Sequence, residues 1–176
     1  MASDDKEDSV WIRTEPSVDG KTFMVTVEFT EDRSITLDRQ GAFEYAHAIL
    51  TAVQYAEYDA AVYQQMKSRI PDEQTAMQLV VDMRAERPEP DFSNYAPFAL
   101  APGVSMWSGK AFLRVMLDGK TAGQWELDAA REHAMMAIEA LIVADLDNAY
   151  LKILKGLVGL EDEKARQVVA DLVRFR

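Results

Sequence analysis

Apolar and polar residues alternate along residues 23 to 37, and this period of two predicts β structure. One face of the first strand in this segment consists of Phe23, Val25, Val27 and Phe29. A preceding strand is predicted at residues 9–14, joined through a hairpin at Asp19-Gly20. The same pattern returns ninety residues later, at Leu113, Val115 and Leu117, followed by a turn at Asp118-Gly119. Each half of the chain is therefore predicted to begin with antiparallel strands.

The period then changes to 3.6, which predicts two helices in each half. A long helix is predicted over residues 42–69, with Asp38 as a possible N-cap, and a second over 71–87. In the second half the helices are predicted over 129–155 and 161–175. Between the halves, residues 88–108 contain four of the six prolines. The aromatic residues there indicate a connector that lies against the body of the protein.

The two halves also match residue by residue. A shift of 90 places Phe23, Val25, Val27, Ile35, Leu37 and Asp38 on Leu113, Val115, Leu117, Trp125, Leu127 and Asp128. A shift of 88 places Ala42, Glu44, Ala46, Ala52, Ala56, Asp59 and Ala61 on identical residue types, and Glu57 on Asp145. A shift of 89 places Ala76, Gln78, Val80 and Asp82 on Ala165, Gln167, Val169 and Asp171. Nearly constant shifts in three segments predict an internal duplication.

The predicted fold class is α+β, a tandem duplication of a β-hairpin, long-helix and short-helix unit. The copies are expected to be related by a pseudo-two-fold axis, with antiparallel strands and the helices packed on one side. The expected boundaries are an acidic N-terminal tail over 1–9, a first repeat over 10–87, the connector over 88–108 and a second repeat over 109–176. Alanines that recur every four residues would let the long helices cross closely. Leu141, Ile142, Leu146 and Ile153, with Ile49, Val53, Val62 and Met66, are expected to fill around that contact.

Composition narrows the possible functions. The chain has no cysteine, which excludes disulfides and thiolate chemistry and suits a reducing cytoplasm. Thirty acidic residues against nineteen basic ones give a formal net charge of −11, which disfavours direct binding to nucleic acid. The acidic N-terminus and the lack of a long apolar run predict no signal peptide and no membrane span. A cytoplasmic protein is expected.

Residue patterns that would indicate an enzyme are weak. The chain lacks phosphate-binding loops, H-E-x-x-H and G-x-S-x-G. Glu44 and His47 have the spacing of a carboxylate-bridged metal site, but the second copy offers Glu132 followed by a methionine. No metal and no cofactor is therefore predicted. Glu44, His47, Glu132 and His133 are nevertheless candidates for a ligand site in a cleft between the repeats.

Paired acids and tyrosines on the long helices are the candidate partner-binding residues. The acids are Glu57, Asp59, Asp145 and Asp147, and the tyrosines next to the first pair are Tyr55 and Tyr58. Aromatic side chains ringed by polar ones are typical of protein-binding hot spots. The same acids could instead form a carboxylate cluster for a divalent cation, or belong to a solvated helix face.

Residues 23 to 61 contain a strand, a turn, the sequence Ile-Thr-Leu-Asp and an alanine-rich helix. This order resembles small, uncharacterised hairpin–helix proteins of high-GC actinobacteria and their phages. The resemblance implies such a source and a cytoplasmic setting, and it implies no activity and no residue role.

The function predicted from the sequence is non-enzymatic binding to another protein through acidic and aromatic surface, as an accessory or phage-type factor. Two alternatives stay open. One is an acidic mimic of nucleic acid that blocks a DNA-binding partner, which requires the acids to form one stripe. The other is a small-ligand binder or minor enzyme with its site between the repeats. The sequence leaves the oligomeric state open.

Overall fold

The structure is a computed structural model that describes residues 10–173. It contains six strands, four α-helices and one short 3-10 helix within that range. The strands are β1 (Trp11–Pro16), β2 (Phe23–Thr30), β3 (Arg33–Leu37), β4 (Phe98–Val104), β5 (Ala111–Leu117) and β6 (Lys120–Trp125). The helices are α1 (Arg39–Lys67), α2 (Glu73–Ala85), α3 (Leu127–Gly156) and α4 (Asp162–Val173), with the 3-10 helix at Ser93–Tyr95. The predicted acidic tail at residues 1–9 lies outside the described residues.

The strands form two separate antiparallel sheets of three strands each, in the orders β1-β2-β3 and β4-β5-β6. The α+β class is thus confirmed, as are the four helices. The alternation predicted for β2 is also confirmed, because its apolar face is buried in the core. Asp38 caps α1 as predicted, since its carboxylate accepts a hydrogen bond from the Gly41 N–H at 2.8 Å.

Regular structure extends into the segment that was predicted as a connector. Residues 98–104 form β4, an edge strand that pairs only with β5, and Pro102 lies opposite Leu113. A proline lacks the N–H that a central strand needs, but an edge strand tolerates it. The prediction that the connector's aromatic residues pack against the protein is confirmed, because Phe92, Tyr95 and Phe98 are all buried.

The two turns predicted from Asp-Gly pairs, between β1 and β2 and between β5 and β6, both use glycine at positive φ. Asp118 and Gly119 have φ of 50° and 73° between β5 and β6, as the Asp-Gly pair predicts. The turn between β1 and β2 is longer than the predicted tight hairpin. The hydrogen bond that closes it runs from the Ser17 N–H to the Thr22 carbonyl. Gly20 in that turn has φ of 64°, and a side chain there would also collide with Arg166.

The chain divides into two compact units. Within the described residues, the first unit comprises 10–43 and 136–173, and the second comprises 44–135. The first unit therefore combines the β1-β2-β3 sheet with most of α3 and with α4. The second combines the β4-β5-β6 sheet with most of α1 and with α2. Each unit thus takes its sheet from one half of the chain and its main helices from the other.

Hydrogen bonds within each unit join these segments. In the first unit the Asn148 side chain of α3 accepts from the Phe23 N–H at 2.7 Å and donates to the Phe23 carbonyl at 3.1 Å. In the second unit the Tyr63 hydroxyl of α1 donates to the Met106 carbonyl, just after β4, at 2.8 Å. Helices from one half are thereby fixed to the sheet segment of the other half. Across residues 10–173, no helix has the length and apolarity that crossing a membrane requires.

Candidate functional site

Two of the predicted partner-binding acids are exposed and ion-paired. In the second unit, Glu57 of α1 pairs with Arg131 of α3. In the first unit, Asp145 of α3 accepts from the Arg39 Nε at 2.8 Å. Exposed pairs of this kind contribute little to stability. Glu57 and Asp145 therefore remain available at the surface, although each already has a cationic neighbour.

The other two predicted acids, Asp59 and Asp147, are buried, with exposures of 3% and 0%. Their assignment to an exposed binding surface was wrong. Position 59 lies three residues after the buried Ala56 and four before the buried Tyr63, so the helical period itself places it on the core face.

Asp59 is neutralised by two arginines of the α2 region. The Arg84 Nε and the Arg87 Nη2 donate to its Oδ2 at 2.9 and 2.8 Å. The Arg87 guanidinium also lies over the ring of the half-buried Tyr55, 4.3 Å from the centroid. Asp59 and Tyr55 therefore hold the end of α2 against α1. Tyr58, at 59% exposure, stays open to a partner.

Of the four cleft candidates, only His133 lies in the core. Its Nε2 lies 2.9 Å from the Tyr45 hydroxyl, and burial lowers the pKa of His133 to about 4. Tyr45 is fully buried, and burial raises its pKa. Aromatic rings surround the pair in the second unit: Tyr95, Phe98 and Trp125. His133 is only 6% exposed and burial keeps its imidazole neutral, so it acts as a packing residue among these rings.

Glu44, His47 and Glu132 are exposed on the helices of the second unit. The structure therefore separates them from His133 by burial, and the four do not form one site. No group of three or more histidine, aspartate and glutamate side chains placed to hold a metal ion occurs within residues 10–173.

An exposed apolar face on α3 was missed by the sequence interpretation. Ile142, Leu146 and Ile153 were predicted to pack in the core, but they are 54%, 48% and 46% exposed. Leu157, the residue directly after the end of α3, is 84% exposed. We call these four residues the α3 stripe. Because α3 also buries Leu141 and Leu151 on its opposite face, it is apolar on both sides, and hydrophobicity alone could not show which side faces the core.

The first unit also contains a groove with a cavity volume of about 430 Å³ between β2, the start of α1 and α3. Its floor includes Phe23, Val25 and Leu141, and bases lie at its rim. Segments of both predicted repeats line it. None of the four predicted cleft residues is among its lining residues.

No protein-family model, no curated protein and no solved structure matches this chain at a significant level. A function for the chain must therefore be inferred from its own residues.

Proposed function

We propose that this chain is a non-enzymatic protein-binding protein and that the α3 stripe is its main contact surface. The observation that carries the proposal is the exposure of Ile142, Leu146 and Ile153 on one face of α3, with the exposed Leu157 directly after its end. Exposed apolar side chains scattered singly are normal, but a contiguous row of large ones is typical of interaction sites. Tyr150, at 45% exposure, adds an aromatic side chain beside the row.

Charge indicates the chemistry of the partner. The chain carries a net charge of −11, and Glu139 is exposed one turn before Ile142 on the stripe's face. Between residues 139 and 157, the two lysines of α3 avoid this face: Lys152 lines the groove, and Lys155 pairs with Asp162. We therefore assign the partner as an amphipathic helix of another protein, with an apolar stripe flanked by basic residues.

Substitutions that place the residues of α1 at the equivalent positions of α3 test this proposal. Ile142 and Ile153 correspond, at the shift of 88, to the exposed Gln54 and Gln65. The double variant Ile142→Gln/Ile153→Gln should therefore fold normally and lose the partner. The measurement is affinity capture from source cells with wild-type and variant protein, followed by cross-linking to locate the bound segment. A partner helix with basic flanks, captured by the wild type and lost by the variant, is the expected result.

The matched control is Leu79→Gln/Met83→Gln, which removes two exposed apolar side chains from α2 instead. Equal capture of the partner by the wild type and by Ile142→Gln/Ile153→Gln, the stripe variant, would overturn the proposal. Self-association of the wild type that the stripe variant abolishes would overturn it too, because the occupant would then be a second copy. The alternative of a nucleic-acid mimic would be favoured if capture fell steeply with salt concentration and was the same for the wild type and Ile142→Gln/Ile153→Gln.

We also propose that the chain arose by internal duplication of a unit related by a pseudo-two-fold axis. Residue identities alone set the shift of 88 between α1 and α3, and burial is an independent property. The eight buried residues of α3 are Ala130, His133, Ala134, Ala137, Leu141, Ala144, Asp147 and Leu151. All eight fall on buried residues of α1: Ala42, Tyr45, Ala46, Ile49, Val53, Ala56, Asp59 and Tyr63. This coincidence supports duplication.

Short-range contacts support it as well. In α2 the Gln78 Nε2 donates to Asp82 at 2.8 Å, and the equivalent Gln167 donates to Asp171 in α4 at 3.1 Å. Tyr45 and His133 are equivalent positions, 88 residues apart, and their side chains contact each other. Contact between a residue and its own equivalent is what a two-fold axis produces at the axis. The exchange of helices between the sheets in the two units is also typical of a swapped homodimer joined into one chain.

A further inference from the structure

The groove in the first unit has an apolar floor and a mostly basic rim. Phe23, Val25, Leu37, Leu141 and Ala144 form the floor, and all five are buried. At the rim stand three bases, Lys21, Arg39 and Lys152, and two acids, Asp38 and Asp145. This local excess of one positive charge is opposite in sign to the chain as a whole, whose net charge is −11. The rim of the groove therefore carries a local positive charge that can attract an anion.

Both rim acids are already engaged. Asp38 accepts from the Gly41 N–H at the start of α1, and Asp145 accepts from the Arg39 Nε. Arg39 makes one hydrogen bond through Nε, and its side chain is 78% exposed, so its two Nη groups face outward. Lys152 forms no ion pair within residues 10–173. Donors for one anionic head group thus remain at the rim.

The groove is held in shape by the protein itself. The Asn148 amide makes two hydrogen bonds to the Phe23 backbone, which fixes β2 against α3 at the centre of the groove. A cavity volume of about 430 Å³ is within the range of roughly 300 to 1,000 Å³ typical of small-molecule sites. Such sites are mostly apolar, with a few polar groups that orient the ligand.

We propose that this groove binds a small monocarboxylate with an apolar body. The apolar part would lie on the floor formed by Phe23, Val25 and Leu141, and the carboxylate would reach Lys152 and the free edge of Arg39. The N–H groups along one edge of an arginine guanidinium match the two oxygens of a carboxylate. The local excess of a single positive charge favours a monoanion over a dianion.

Octanoate is a suitable probe, with octylamine and octanol as ligands of similar length and different charge. Binding is measured by NMR from the amide shifts of residues 22–25 and 141–149. Octanoate should produce saturable shifts at these amides, and octylamine should produce none. Lys152→Glu should weaken octanoate binding about tenfold or more. Ala149→Phe, which fills the groove from an exposed lining position, should abolish it.

Lys120→Glu is the matched control, because it makes the same change in net charge at an exposed position in the second unit. It should leave octanoate affinity unchanged within about twofold. Ile142→Gln/Ile153→Gln should also leave it unchanged, which separates this groove from the α3 stripe. Absence of octanoate binding, equal binding of octanol, or equal loss in Lys152→Glu and Lys120→Glu would overturn the proposal.

Discussion

The two long helices, α1 and α3, share a buried face and differ on the face opposite to it. At the shift of 88 every buried position of α3 falls on a buried position of α1. The α3 stripe, however, falls on Gln54, Tyr58, Gln65 and Arg69. Packing against a sheet dictates the buried residues of both helices, but no folding requirement dictates an apolar outward face. The difference between the outward faces is the basis of the binding role that we propose for α3.

The largest expected effect concerns the aspartate that is buried at equivalent positions of α1 and α3, as Asp59 and Asp147. Asp59→Ala leaves Arg84 and Arg87 without their common carboxylate, and their side chains are only 29% and 18% exposed. Breaking a buried pair in this way should lower the free energy of unfolding by about 3–5 kcal/mol. Urea denaturation followed by circular dichroism measures the loss.

Glu57→Ala, two residues away, is the control, since it breaks an exposed pair and should cost less than about 1 kcal/mol. If the buried faces of α1 and α3 are copies, Asp147→Ala should cost about as much as Asp59→Ala. A cost for Asp147→Ala close to that of Glu57→Ala would contradict their equivalence.

The free energy of unfolding should depend on pH through His133, which lies at the position equivalent to Tyr45. The pKa of His133 is about 4 in the folded protein, below its ordinary value of 6.5. As the pH falls, the unfolded chain therefore binds the proton first, and stability that is complete above pH 6.5 is lost as the pH approaches 4. The total loss is about 3 kcal/mol, of which about 2 kcal/mol should appear by pH 5.

Unfolding free energies of wild type and His133→Gln, measured between pH 7 and 5, test this expectation. The variant should lose the part of the slope that His133 causes. His47→Gln, which removes the exposed histidine instead, is the matched control. Equal slopes in wild type and His133→Gln would show that His133 is not held neutral by burial.

A smaller effect should distinguish the buried from the exposed positions of α2 and α4. Val80 and Val169 are equivalent at the shift of 89, and both are fully buried. Val80→Ala and Val169→Ala should each lower the free energy of unfolding by about 2 kcal/mol. Leu79→Ala and Val168→Ala, at the neighbouring exposed positions, should each change it by less than about 0.5 kcal/mol. Costs that differ strongly between Val80 and Val169 would weaken the duplication proposal.

Local patterns in the sequence predicted most of the fold. Alternation at Phe23, Val25 and Val27 located β2, and the alanine period located α1, because each pattern is set by the geometry of its own element. β4 was missed because Pro102 and Gly103 are typical of irregular segments. Only the pairing with β5 shows that they lie on an edge strand, where a proline is tolerated.

The candidate site was less predictable, because it depends on which side of a helix meets the rest of the protein. Leu141 and Ile142 are consecutive and equally apolar, yet one is buried and the other exposed. The burial of Asp59 could have been found from its spacing to Ala56 and Tyr63. The groove could not have been, since Phe23 and Asn148 are 125 residues apart in the chain.

The smallest effect on stability is expected for exchange of the outward faces themselves. Ile142→Gln/Ile153→Gln gives α3 the residues of α1, and Gln54→Ile/Gln65→Ile gives α1 the residues of α3. All four positions are exposed, so each double variant should change the free energy of unfolding by less than about 0.5 kcal/mol per site. Urea denaturation measures stability, and sedimentation velocity measures association.

Association and binding should change in opposite directions between these variants. Gln54→Ile/Gln65→Ile adds a second exposed apolar row and should promote self-association, whereas Ile142→Gln/Ile153→Gln should stay dispersed and lose the partner. A loss of more than about 2 kcal/mol in Ile142→Gln/Ile153→Gln would mean that these side chains stabilise the fold after all. The outward face of α3 would then be part of the core, and the difference between the two helices would carry no information about binding.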